Sequence, residues 1–287
     1  MKISSHAKIN LFLIVEGKRN DGYHDIKTLF CRIGLHDTLL LDLTRQGRGI
    51  EILCSNPEIP IDETNIAYKA ASTFFENLEK DYYPSNDGLR IVIKKRIPVG
   101  AGLGGGSSNA ANVLSGLNKM YGRPFSNKKI MEMAIKTGAD VPFFIFRKPA
   151  IATGIGEKLK SFKGLNPFKV ILVFPGKSVS TNMVYKNLNL RLTKCKQKLN
   201  CLYFEKNAFI PEHHLCNDLE SVTESICPEI KIIKARLLEL GSVGSLMTGS
   251  GPTVFGLFSD SLKAEYAYYE LLKNTGWEVF LTDLLVS

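Results

Sequence analysis

The chain has 287 residues, of which 44% are hydrophobic and 23% charged, and its formal net charge is +9 at pH 7. This composition is ordinary for a globular protein, and the length favours two domains. No run of five or more basic residues occurs, so nucleic-acid binding is not indicated, and the charge favours small phosphate-bearing ligands. The longest apolar run near the N-terminus, residues 11–15, is too short for a signal-peptide core or a membrane span. We therefore expect a cytoplasmic protein with no membrane partner.

A strand is predicted over residues 7–15, where apolar side chains alternate. Because successive side chains of a strand point to opposite faces, Lys8 and Asn10 share the face opposite the apolar one, about 7 Å apart along the strand. A lysine beside an asparagine on an exposed strand is usually solvated, and this remains the alternative interpretation of the pair.

A turn follows at residues 17–22, and the Asp-Gly pair that ends it is a hairpin signal. The chain is predicted to return as a second strand through residues 28–30, which brings Tyr23 and His24 back towards the first strand. A half-buried sheet aromatic for Tyr23 and a surface residue for His24 are the plainer alternatives.

Three further elements are predicted before residue 98. Residues 36–43 alternate as another strand, and a helix with an apolar face begins near Asn65. Thr64 or Asn65 is placed to cap that helix. The β-branched run at residues 89–93 predicts a strand that leads into a glycine-rich loop.

That loop spans residues 98–106 and is followed at once by Ser107 and Ser108. Its glycines stand at positions 100, 102, 104, 105 and 106. A helix is predicted to open near Ser107 or Ser108, because apolar residues follow at helical spacing. Such a loop offers free backbone N–H groups and the positive end of a helix dipole to an anion, and glycine lets the anion come close to the backbone. We therefore predict a phosphate-binding loop.

Three other interpretations of this loop fit less well. A tight turn needs one or two glycines, and a Walker A loop ends in Gly-Lys-Ser/Thr, whereas this loop contains no lysine. A dinucleotide loop needs an acidic residue about 20 residues further on. Residues 125–129 read Phe-Ser-Asn-Lys-Lys instead. We therefore predict a nucleotide phosphate loop of another kind.

After the loop helix, Ser126 is predicted to cap a helix that ends at Gly138. Asp140 follows between small residues, and the apolar run after it is predicted to be a strand. A carboxylate in this position would be partly buried, and a turn or capping aspartate is the alternative. Residues 153–157 mark the predicted crossing into a second domain.

The second half of the chain predicts a buried strand at 170–174 and a helix that opens at 180–185. The polar, basic stretch 186–206 is predicted to be a mobile excursion. A second glycine-rich loop, within residues 241–258, is predicted to lie between a helix and a strand, and a plain hairpin turn is its alternative. A final helix over 262–274 and a strand over 277–281 end the chain.

Six cysteines occur, without a C-x-x-C pair, at positions 31, 54, 195, 201, 216 and 227. Four of them, from Cys195 to Cys227, crowd the region of His213 and His214, which raises the hypothesis of a zinc site. Their spacings match no zinc pattern, so we expect reduced thiols and no disulfide framework, as is usual in the cytoplasm.

Three motifs of this chain resemble those of the GHMP kinases. They are P-x-G-A-G-L-G-G-G-S-S-N-A-A at 98–111, G-A-D-V-P-F-F-I at 138–145 and M-T-G-S-G-P-T-V-F-G at 247–256. The start of the chain is similar to that of one GHMP member, whose alcohol substrate carries cytidine diphosphate. The similar residues are A-K-I-N-L-F-L, then D-G-Y-H after a short turn, and then T-L-F. The resemblance covers most of the chain and is weakest at 186–216.

The resemblance implies an α+β protein with the two-domain GHMP kinase fold. A ribosomal protein S5 domain 2-like N-terminal domain would cover residues 1–156, and a ferredoxin-like C-terminal domain residues 157–287. The active site would lie in the inter-domain cleft.

It also implies roles for individual residues, with Asp140 as the catalytic base and Lys8 as its partner. The residues expected at ATP are Pro98, Val99, Gly100, Ala101, Gly102, Leu103, Gly104, Gly105, Gly106, Ser107 and Ser108, with Asn65 and Lys95 as weaker matches. Ser107 or Ser108 would ligate Mg²⁺. The residues expected at the substrate are Asn10, Tyr23, His24, Thr181 and Tyr185. Tyr185 would stack on the cytosine opposite Tyr23, and His24 would recognise the base edge.

The implied activity is ATP- and Mg²⁺-dependent phosphorylation of a small alcohol, with no tightly bound prosthetic group. The expected partners are ATP and the substrate, and the protein is expected to be a monomer or a weak homodimer. A GHMP kinase of the mevalonate or homoserine type is the alternative. A further alternative is a nucleotide-binding sensor without catalysis. The presence of both Lys8 and Asp140 argues against this alternative.

Overall fold

The structure, a computed structural model, describes residues 1–44, 49–78, 88–193, 195 and 208–286. The chain folds into two compact units that are interleaved in sequence. The first unit consists of residues 1–7, 36–97 and 104–147, and the second of residues 8–35, 98–103 and 148–287. Each of the two long N-terminal strands therefore contributes to both units.

The strands of the described residues are β1 (Lys2–Lys18), β2 (His24–Thr44), β3 (Gly49–Cys54), β4 (Gly88–Lys94), β5 (Ala150–Thr153), β6 (Lys158–Ser161), β7 (Lys169–Phe174), β8 (Cys216–Asn217), β9 (Gly244–Met247), β10 (Val254–Phe258) and β11 (Glu278–Leu285). The α-helices are α1 (Ile66–Asn77), α2 (Gly105–Met120), α3 (Asn127–Thr137), α4 (Val141–Phe146), α5 (Thr181–Lys186), α6 (Pro211–His214), α7 (Glu220–Ile226), α8 (Glu229–Glu239) and α9 (Ser261–Leu271). A 3₁₀ turn spans Leu190–Leu192.

In the first unit, helices α1 to α4 pack together beside a small sheet. The C-terminal part of β2 pairs antiparallel with β4, and β3 pairs parallel with β4. Leu41 faces Ile91 across the β2–β4 pair, and both side chains are fully buried. The predicted caps are confirmed: Asn65 accepts a hydrogen bond from Ala67 N at 2.8 Å, and Ser126 accepts one from Lys129 N at 3.3 Å.

In the second unit, an antiparallel sheet has the order β11–β7–β10–β9. The central strand β7 is the Val-Ile-Leu-Val run predicted to be a buried strand, and residues 170–173 are fully buried. Helices α8 and α9 pack on this sheet, and their apolar faces bury Ile233, Leu237 and Ala267. The α+β class expected from the sequence is confirmed.

The predicted strands at 28–30 and 36–43 prove to be parts of one strand, β2, which is 21 residues long. Gly34 lies in its middle and does not interrupt it. A Cβ at this glycine would lie 2.7 Å from Thr282 Oγ1, so the missing side chain makes room for β11, which pairs with β2 at Ile33.

The strand predicted directly after Asp140 is wrong, because residues 141–146 form helix α4. Pro142 explains the outcome. A proline in the first turn of a helix loses no hydrogen bond, since the N–H groups there have no intrahelical partner, whereas a proline within a strand removes a bond from the ladder. The apolar residues that suggested a strand, among them Phe143 and Phe144, are buried on the helix instead.

The second glycine-rich loop also differs from its prediction. Strand β9 precedes it, so residues 248–253 join two paired antiparallel strands, β9 and β10, as a hairpin loop. The loop therefore has the hairpin form of the alternative interpretation. The Gly251–Pro252 peptide bond in this loop is cis.

The expectation of reduced thiols throughout is wrong for one pair, because Cys195 and Cys216 form a disulfide with a Cα–Cα distance of 5.6 Å. Tertiary contacts bring the two together: Cys195 N donates to Asp218 Oδ1 at 3.0 Å, and Cys216 lies on β8, opposite Phe12 of β1. Sequence spacing carries no signal of such contacts. Cys31, Cys54 and Cys227 are free thiols, and burial raises the pKa of Cys31 to about 12; Cys201 lies outside the described residues.

Most of the stretch predicted to be mobile also lies outside the described residues, which omit 194 and 196–206 of it. The predicted domain boundary between residues 156 and 157 stays a prediction. Within the described ranges, no helix is long and apolar enough to span a membrane.

Asp37 of β2 provides a test of how the first unit is held together. Its fully buried carboxylate accepts hydrogen bonds from Lys95 Nζ at 2.8 Å, from Asn109 Nδ2 at 3.1 Å, and from the backbone N–H groups of Arg96 and Ile97. Asp37→Asn should lower the free energy of unfolding by about 3–5 kcal/mol, because it leaves the buried Lys95 ammonium without its counter-charge. Urea denaturation measures the change.

The matched control is Glu51→Gln, which removes the carboxylate of an ion pair with Arg90 in which both side chains are about half exposed. Solvent screens such a pair, so this variant should unfold at nearly the wild-type urea concentration. Equal midpoints for the two variants would contradict the structural role assigned to Asp37.

Candidate active site

The glycine-rich phosphate loop begins in the second unit. Gly100 and Gly102 have φ angles of 63° and 76°, a backbone conformation that favours glycine. A Cβ at Gly102 would overlap the carbonyl oxygen of Thr248 and lie 3.1 Å from Gly251 N. The two glycine-rich loops, which the resemblance placed near each other, are therefore in direct backbone contact.

The loop continues into the first unit, where Gly104 has a φ angle of 69° and α2 begins at Gly105. No side chain caps this helix, so its first backbone N–H groups are available to an anion. A Cβ at Gly105 would lie 3.0 Å from Lys95 Nζ, which places a cation beside the helix start. The helix opens two residues before the predicted position.

The two serines of this loop differ in their surroundings. Ser108 is fully buried, and its hydroxyl accepts a hydrogen bond from Ser5 Oγ at 2.8 Å. Ser107 is half-buried in the first turn of α2. Contact of either serine with Mg²⁺ remains a prediction.

Lys8 is 4% exposed and lies against the phosphate loop. Its Nζ atom donates to Asn10 Oδ1 at 2.6 Å and to Gly102 O at 3.0 Å, and its backbone N–H donates to Leu103 O at 3.0 Å. The Phe30 ring centroid lies 5.3 Å from the ammonium. The predicted Lys8–Asn10 pairing is confirmed, while the solvated alternative is wrong because the strand is buried on both faces.

Asn10, which is 1% exposed, is held by two threonines that the sequence analysis missed. Its Nδ2 atom donates to Thr28 Oγ1 at 2.8 Å, and its backbone N–H donates to Thr248 Oγ1 at 2.9 Å. Thr28 Oγ1 in turn donates to Phe12 O at 2.5 Å. Thr28 belongs to the T-L-F motif and Thr248 to the M-T-G-S-G-P motif, so both motifs were noticed, but strand periodicity alone assigns no role to a buried threonine.

Asp140 belongs to the first unit and occupies the N-cap position of the short helix α4. It is half-buried, as expected for a carboxylate between small residues, and its side chain does not cap the helix. The alternative of a capping aspartate is therefore not supported. Its partnership with Lys8, a residue of the second unit, remains a prediction.

The residues expected at the cytosine are partly assembled. The His24 and Tyr185 rings stack with their centroids 5.0 Å apart and their planes at 29°, while Tyr23 is 58% exposed. Thr181 Oγ1 lies 2.7 Å from Ser250 Oγ of the second glycine-rich loop. The structure therefore brings His24 and Tyr185 together, and their roles at the base remain predictions.

Asn65 and Lys95, the weaker matches to ATP-binding residues, both have structural partners. Asn65 caps α1 and also donates from Nδ2 to Pro60 O at 2.6 Å. Lys95 pairs with Asp37 and donates to Ile97 O at 2.6 Å. The capping alternative for Asn65 is confirmed, and contact of either residue with ATP stays a prediction.

The chemistry of these residues fits a nucleotide triphosphate. The loop supplies glycines in left-handed conformations and an uncapped helix start, where an anion is stabilised by N–H groups and by the helix dipole. For Mg²⁺ the available ligand is a serine hydroxyl, a hard oxygen atom of the kind this ion prefers. In the part of the chain that the structure describes, no cluster of three His, Cys, Asp or Glu side chains could hold a metal ion.

Two family models match the chain, the GHMP kinases N terminal domain over residues 65–148 and the GHMP kinases C terminal domain over residues 204–276. The structure is also similar to a solved homoserine kinase from Cytophaga hutchinsonii, with a TM-score of 0.73 at 16% identity over 98% of this chain and 94% of that one. That likeness shows the fold alone. Fold and site together define the class: an ATP-dependent small-molecule kinase of the GHMP type.

More similar proteins refine the assignment. The chain is 46% identical to a 4-diphosphocytidyl-2-C-methyl-D-erythritol kinase of Syntrophotalea carbinolica over 96% of both chains, and 41% identical to one of Acetivibrio thermocellus over 99% of both. A solved 4-(cytidine 5′-diphospho)-2C-methyl-D-erythritol kinase matches with a TM-score of 0.79 at 34% identity, over 99% of both chains. The chain therefore belongs to the 4-diphosphocytidyl-2-C-methyl-D-erythritol kinase family.

The contact between the two glycine-rich loops can be tested with Gly102→Ala. Alanine at this φ costs about 1–2 kcal/mol even without a clash, and its methyl group would also overlap the Thr248 carbonyl oxygen. About 1.4 kcal/mol corresponds to a tenfold change in binding. We expect the Kd of ATP, measured by calorimetry, to rise roughly tenfold or more.

Gly17→Ala is the control, because a Cβ at Gly17 meets no atom within 4 Å and the backbone there has no positive φ. This variant should bind ATP as the wild type does. Unchanged binding by Gly102→Ala would show that the loops tolerate separation.

The ionisation of His24 gives a second test. Burial lowers the pKa of His24 below its ordinary value, and the positive charge of Lys18 lowers it further. Lys18→Gln should therefore raise this pKa, as followed by NMR titration of the imidazole, while Lys69→Gln on α1 should leave it unchanged. An identical pKa in Lys18→Gln and wild type would contradict the electrostatic contribution.

The sign of the linked stability change follows from the same shift. Because the folded-state pKa lies below the unfolded value of about 6.5, the unfolded state binds the proton first as the pH falls. The contribution of His24 to stability is therefore complete above the unfolded-state pKa of about 6.5 and declines as the pH falls below that value.

Proposed function

We propose that this protein transfers the γ-phosphoryl group of ATP to the 2-hydroxyl of 4-diphosphocytidyl-2-C-methyl-D-erythritol (CDP-methylerythritol), giving the 2-phosphate. This reaction is a step of the non-mevalonate isoprenoid precursor pathway. Its support from relatives is the shared name of proteins that are 40–46% identical over nearly their full lengths. The observation that carries the proposal is the buried Lys8 ammonium, held between Asn10 and the phosphate loop.

Lys8 would stabilise the negative charge that develops at the attacking oxygen. Its ammonium is held at the carbonyl oxygen of Gly102, next to the loop expected to bind the nucleotide phosphates. A cation that is already in place and shielded from water interacts more strongly with developing charge than a solvated one.

Asp140 would accept the proton of the 2-hydroxyl as general base. The half-buried carboxylate does not cap the helix that begins beside it, so its oxygens are not committed to that helix. A positioned general base contributes about 10² to 10⁴ to the rate. The proton moves from the hydroxyl to a carboxylate oxygen while the alcohol oxygen bonds to the γ-phosphorus and ADP leaves.

The backbone of residues 100–108 would hold the nucleotide phosphates, and Mg²⁺ would neutralise part of their charge. Ser107, in the first turn of α2, is the serine whose hydroxyl would contact the ion. Ser108 would support the loop through its bond with Ser5.

At the other end of the substrate, Tyr23 and Tyr185 would stack on the cytosine, and His24 would hydrogen-bond its edge. The exposed Tyr23 ring can move onto a base at little cost, while Tyr185 is already packed against His24. A neutral imidazole offers one donor and one acceptor, which suits the amino, ring-nitrogen and carbonyl groups of cytosine. The lowered pKa of His24 favours this neutral form. We also propose that the protein is cytoplasmic and acts as a monomer or a weak homodimer.

The test is ADP release from Mg-ATP with CDP-methylerythritol, mevalonate and homoserine side by side, for wild type and for Asp140→Asn. We expect turnover with the cytidine substrate alone and a fall in kcat of about 10²- to 10⁴-fold in the variant, the contribution of a general base. Turnover with another alcohol would overturn the proposed substrate. ATP binding without turnover would make a nucleotide sensor the better interpretation.

Asp260→Asn provides a control at another helix start. Asp260 is exposed and caps α9 by accepting hydrogen bonds from Leu262 N and Lys263 N. Asparagine caps a helix as well as aspartate does, so this variant should keep the wild-type kcat. An equal loss of activity in both variants would contradict a specific role for Asp140.

A further inference from the structure

Three side chains of the second unit form a chain of hydrogen bonds that runs in one direction. The Thr28 hydroxyl donates to Phe12 O at 2.5 Å, Asn10 Nδ2 donates to Thr28 Oγ1 at 2.8 Å, and Lys8 Nζ donates to Asn10 Oδ1 at 2.6 Å. Lys8 and Asn10 are less than 5% exposed and Thr28 is fully buried. Water therefore has little access to these bonds, and each donor depends on its acceptor being in place.

We propose that Thr28 is a positioning residue for phosphoryl transfer, which fixes the orientation of the Asn10 amide and thereby the position of the Lys8 ammonium. The inference rests on the proposed function, because it gives Lys8 its role at the transferred group. Thr28 itself does not contact the reacting atoms.

The first step of the argument concerns the amide of Asn10, whose oxygen and nitrogen could exchange places by a rotation about χ2. An ammonium only donates hydrogen bonds, so the atom of Asn10 that faces Lys8 must be the oxygen. The opposite orientation would direct an NH₂ group at a cation. It would also remove the acceptor Asn10 Oδ1, which holds the ammonium together with Gly102 O.

The second step is how Thr28 selects the correct orientation. A threonine hydroxyl has one proton, and that of Thr28 is used on Phe12 O. Its oxygen therefore offers only lone pairs to Asn10, and the NH₂ group is the partner that satisfies them. The other end of the amide is then the oxygen, which faces Lys8.

The third step is that the remaining contact at Asn10 cannot replace Thr28. Thr248 Oγ1 accepts the backbone N–H of Asn10 at 2.9 Å and lies 3.4 Å from its Oδ1 atom. Both contacts restrain the backbone and the oxygen end. Of the described contacts, only the one with Thr28 satisfies the NH₂ end, and this end distinguishes the two orientations of the amide.

The central variant is Thr28→Val, which keeps the shape of the side chain and removes the hydroxyl. The amide loses its constraint at the NH₂ end, and the ammonium loses a fixed acceptor. Small displacements of a group at the reacting centre can cost about 10² in rate. We expect kcat with CDP-methylerythritol to fall 10- to 100-fold while KM for both substrates changes less than threefold, since the Thr28 hydroxyl is not among the groups expected to bind either substrate.

Two variants separate positioning from a general structural effect. Thr28→Ser retains the hydroxyl and should restore at least half of the wild-type kcat. Thr137→Val removes a hydroxyl that also donates to a backbone carbonyl, Met133 O at 2.8 Å, but holds no side chain. It should leave kcat and KM unchanged.

A double-mutant cycle with Asn10→Ala tests whether Thr28 acts through Asn10. In the absence of the amide, Thr28→Val should reduce kcat by less than a further factor of three, because residues that act as a unit are not additive. Independent, multiplicative losses would overturn the proposal. A wild-type kcat in Thr28→Val would overturn it as well.

A readout without turnover separates this inference from the proposed function. The side-chain NH₂ signals of Asn10, assigned by ¹⁵N NMR, should exchange slowly with solvent in wild type and at least tenfold faster in Thr28→Val. Equal exchange in the two proteins would contradict the positioning role even if the kinase activity is as proposed. Slow exchange in the wild type would support the hydrogen-bond chain itself. Full activity of the Lys8→Met variant would contradict the catalytic role of Lys8. It would then also contradict the inferred contribution of Thr28 to the rate.

Discussion

The buried ammonium of Lys8 is the constraint on which the rest of the site depends. Removing a charged amine from water is costly unless oxygen atoms replace the lost hydration. The chain places Asn10 Oδ1 and Gly102 O at 2.6 and 3.0 Å from the ammonium. Each acceptor then imposes a requirement of its own. Asn10 must keep its amide in one orientation, and the backbone at Gly102 must turn its carbonyl towards the strand that carries Lys8.

Glycine meets the second requirement. Gly102 adopts a positive φ, and its missing side chain lets the hairpin loop at 248–251 approach, so that the Thr248 carbonyl lies where a Cβ would be. The same hairpin loop reaches Lys8 through Gly249, where a Cβ would lie 3.3 Å from the ammonium. Asn217 holds the loop from its other side, donating from Nδ2 to Met247 O and Gly249 O, each at 2.8 Å. Two loops that are about 150 residues apart in sequence are therefore fixed around one cation, and the glycines serve close approach as much as phosphate binding.

Local patterns in the sequence were sufficient for the parts of this site that one element builds alone. Strand alternation placed Lys8 and Asn10 side by side, helical spacing and Ser126 predicted α3, and helical spacing after the glycine run predicted the start of α2 to within about two residues. Local patterns failed where contacts with a distant segment of the chain determine the structure. Alternation could not show that both faces of β1 are covered, an apolar run could not exclude a helix that begins with a proline, and cysteine spacing could not show that Cys195 meets Cys216. Thr28 was missed for the same reason, because its role depends on the Phe12 carbonyl and the Asn10 amide of the neighbouring strand.

The position of Thr28 on β2 also connects the two ends of the proposed substrate. His24 and Thr28 are four residues apart on one strand and therefore share a face, about 13 Å apart at the strand's rise per residue. One end of this segment stacks on Tyr185, where we propose that the base binds, and the other end holds the amide that supports the Lys8 ammonium. Neighbouring backbone restrains this segment at two positions: Thr28 lies opposite Ala152 of β5, and the Ile26 N–H donates to Gly154 O at 2.7 Å. The segment would therefore fix the distance between base recognition and phosphoryl transfer, and an alcohol without a base at that distance would gain nothing from the His24 end. The fold is shared with kinases of smaller alcohols. Under our proposal, discrimination between these substrates would therefore reside in the side chains of β2 more than in the phosphate loop.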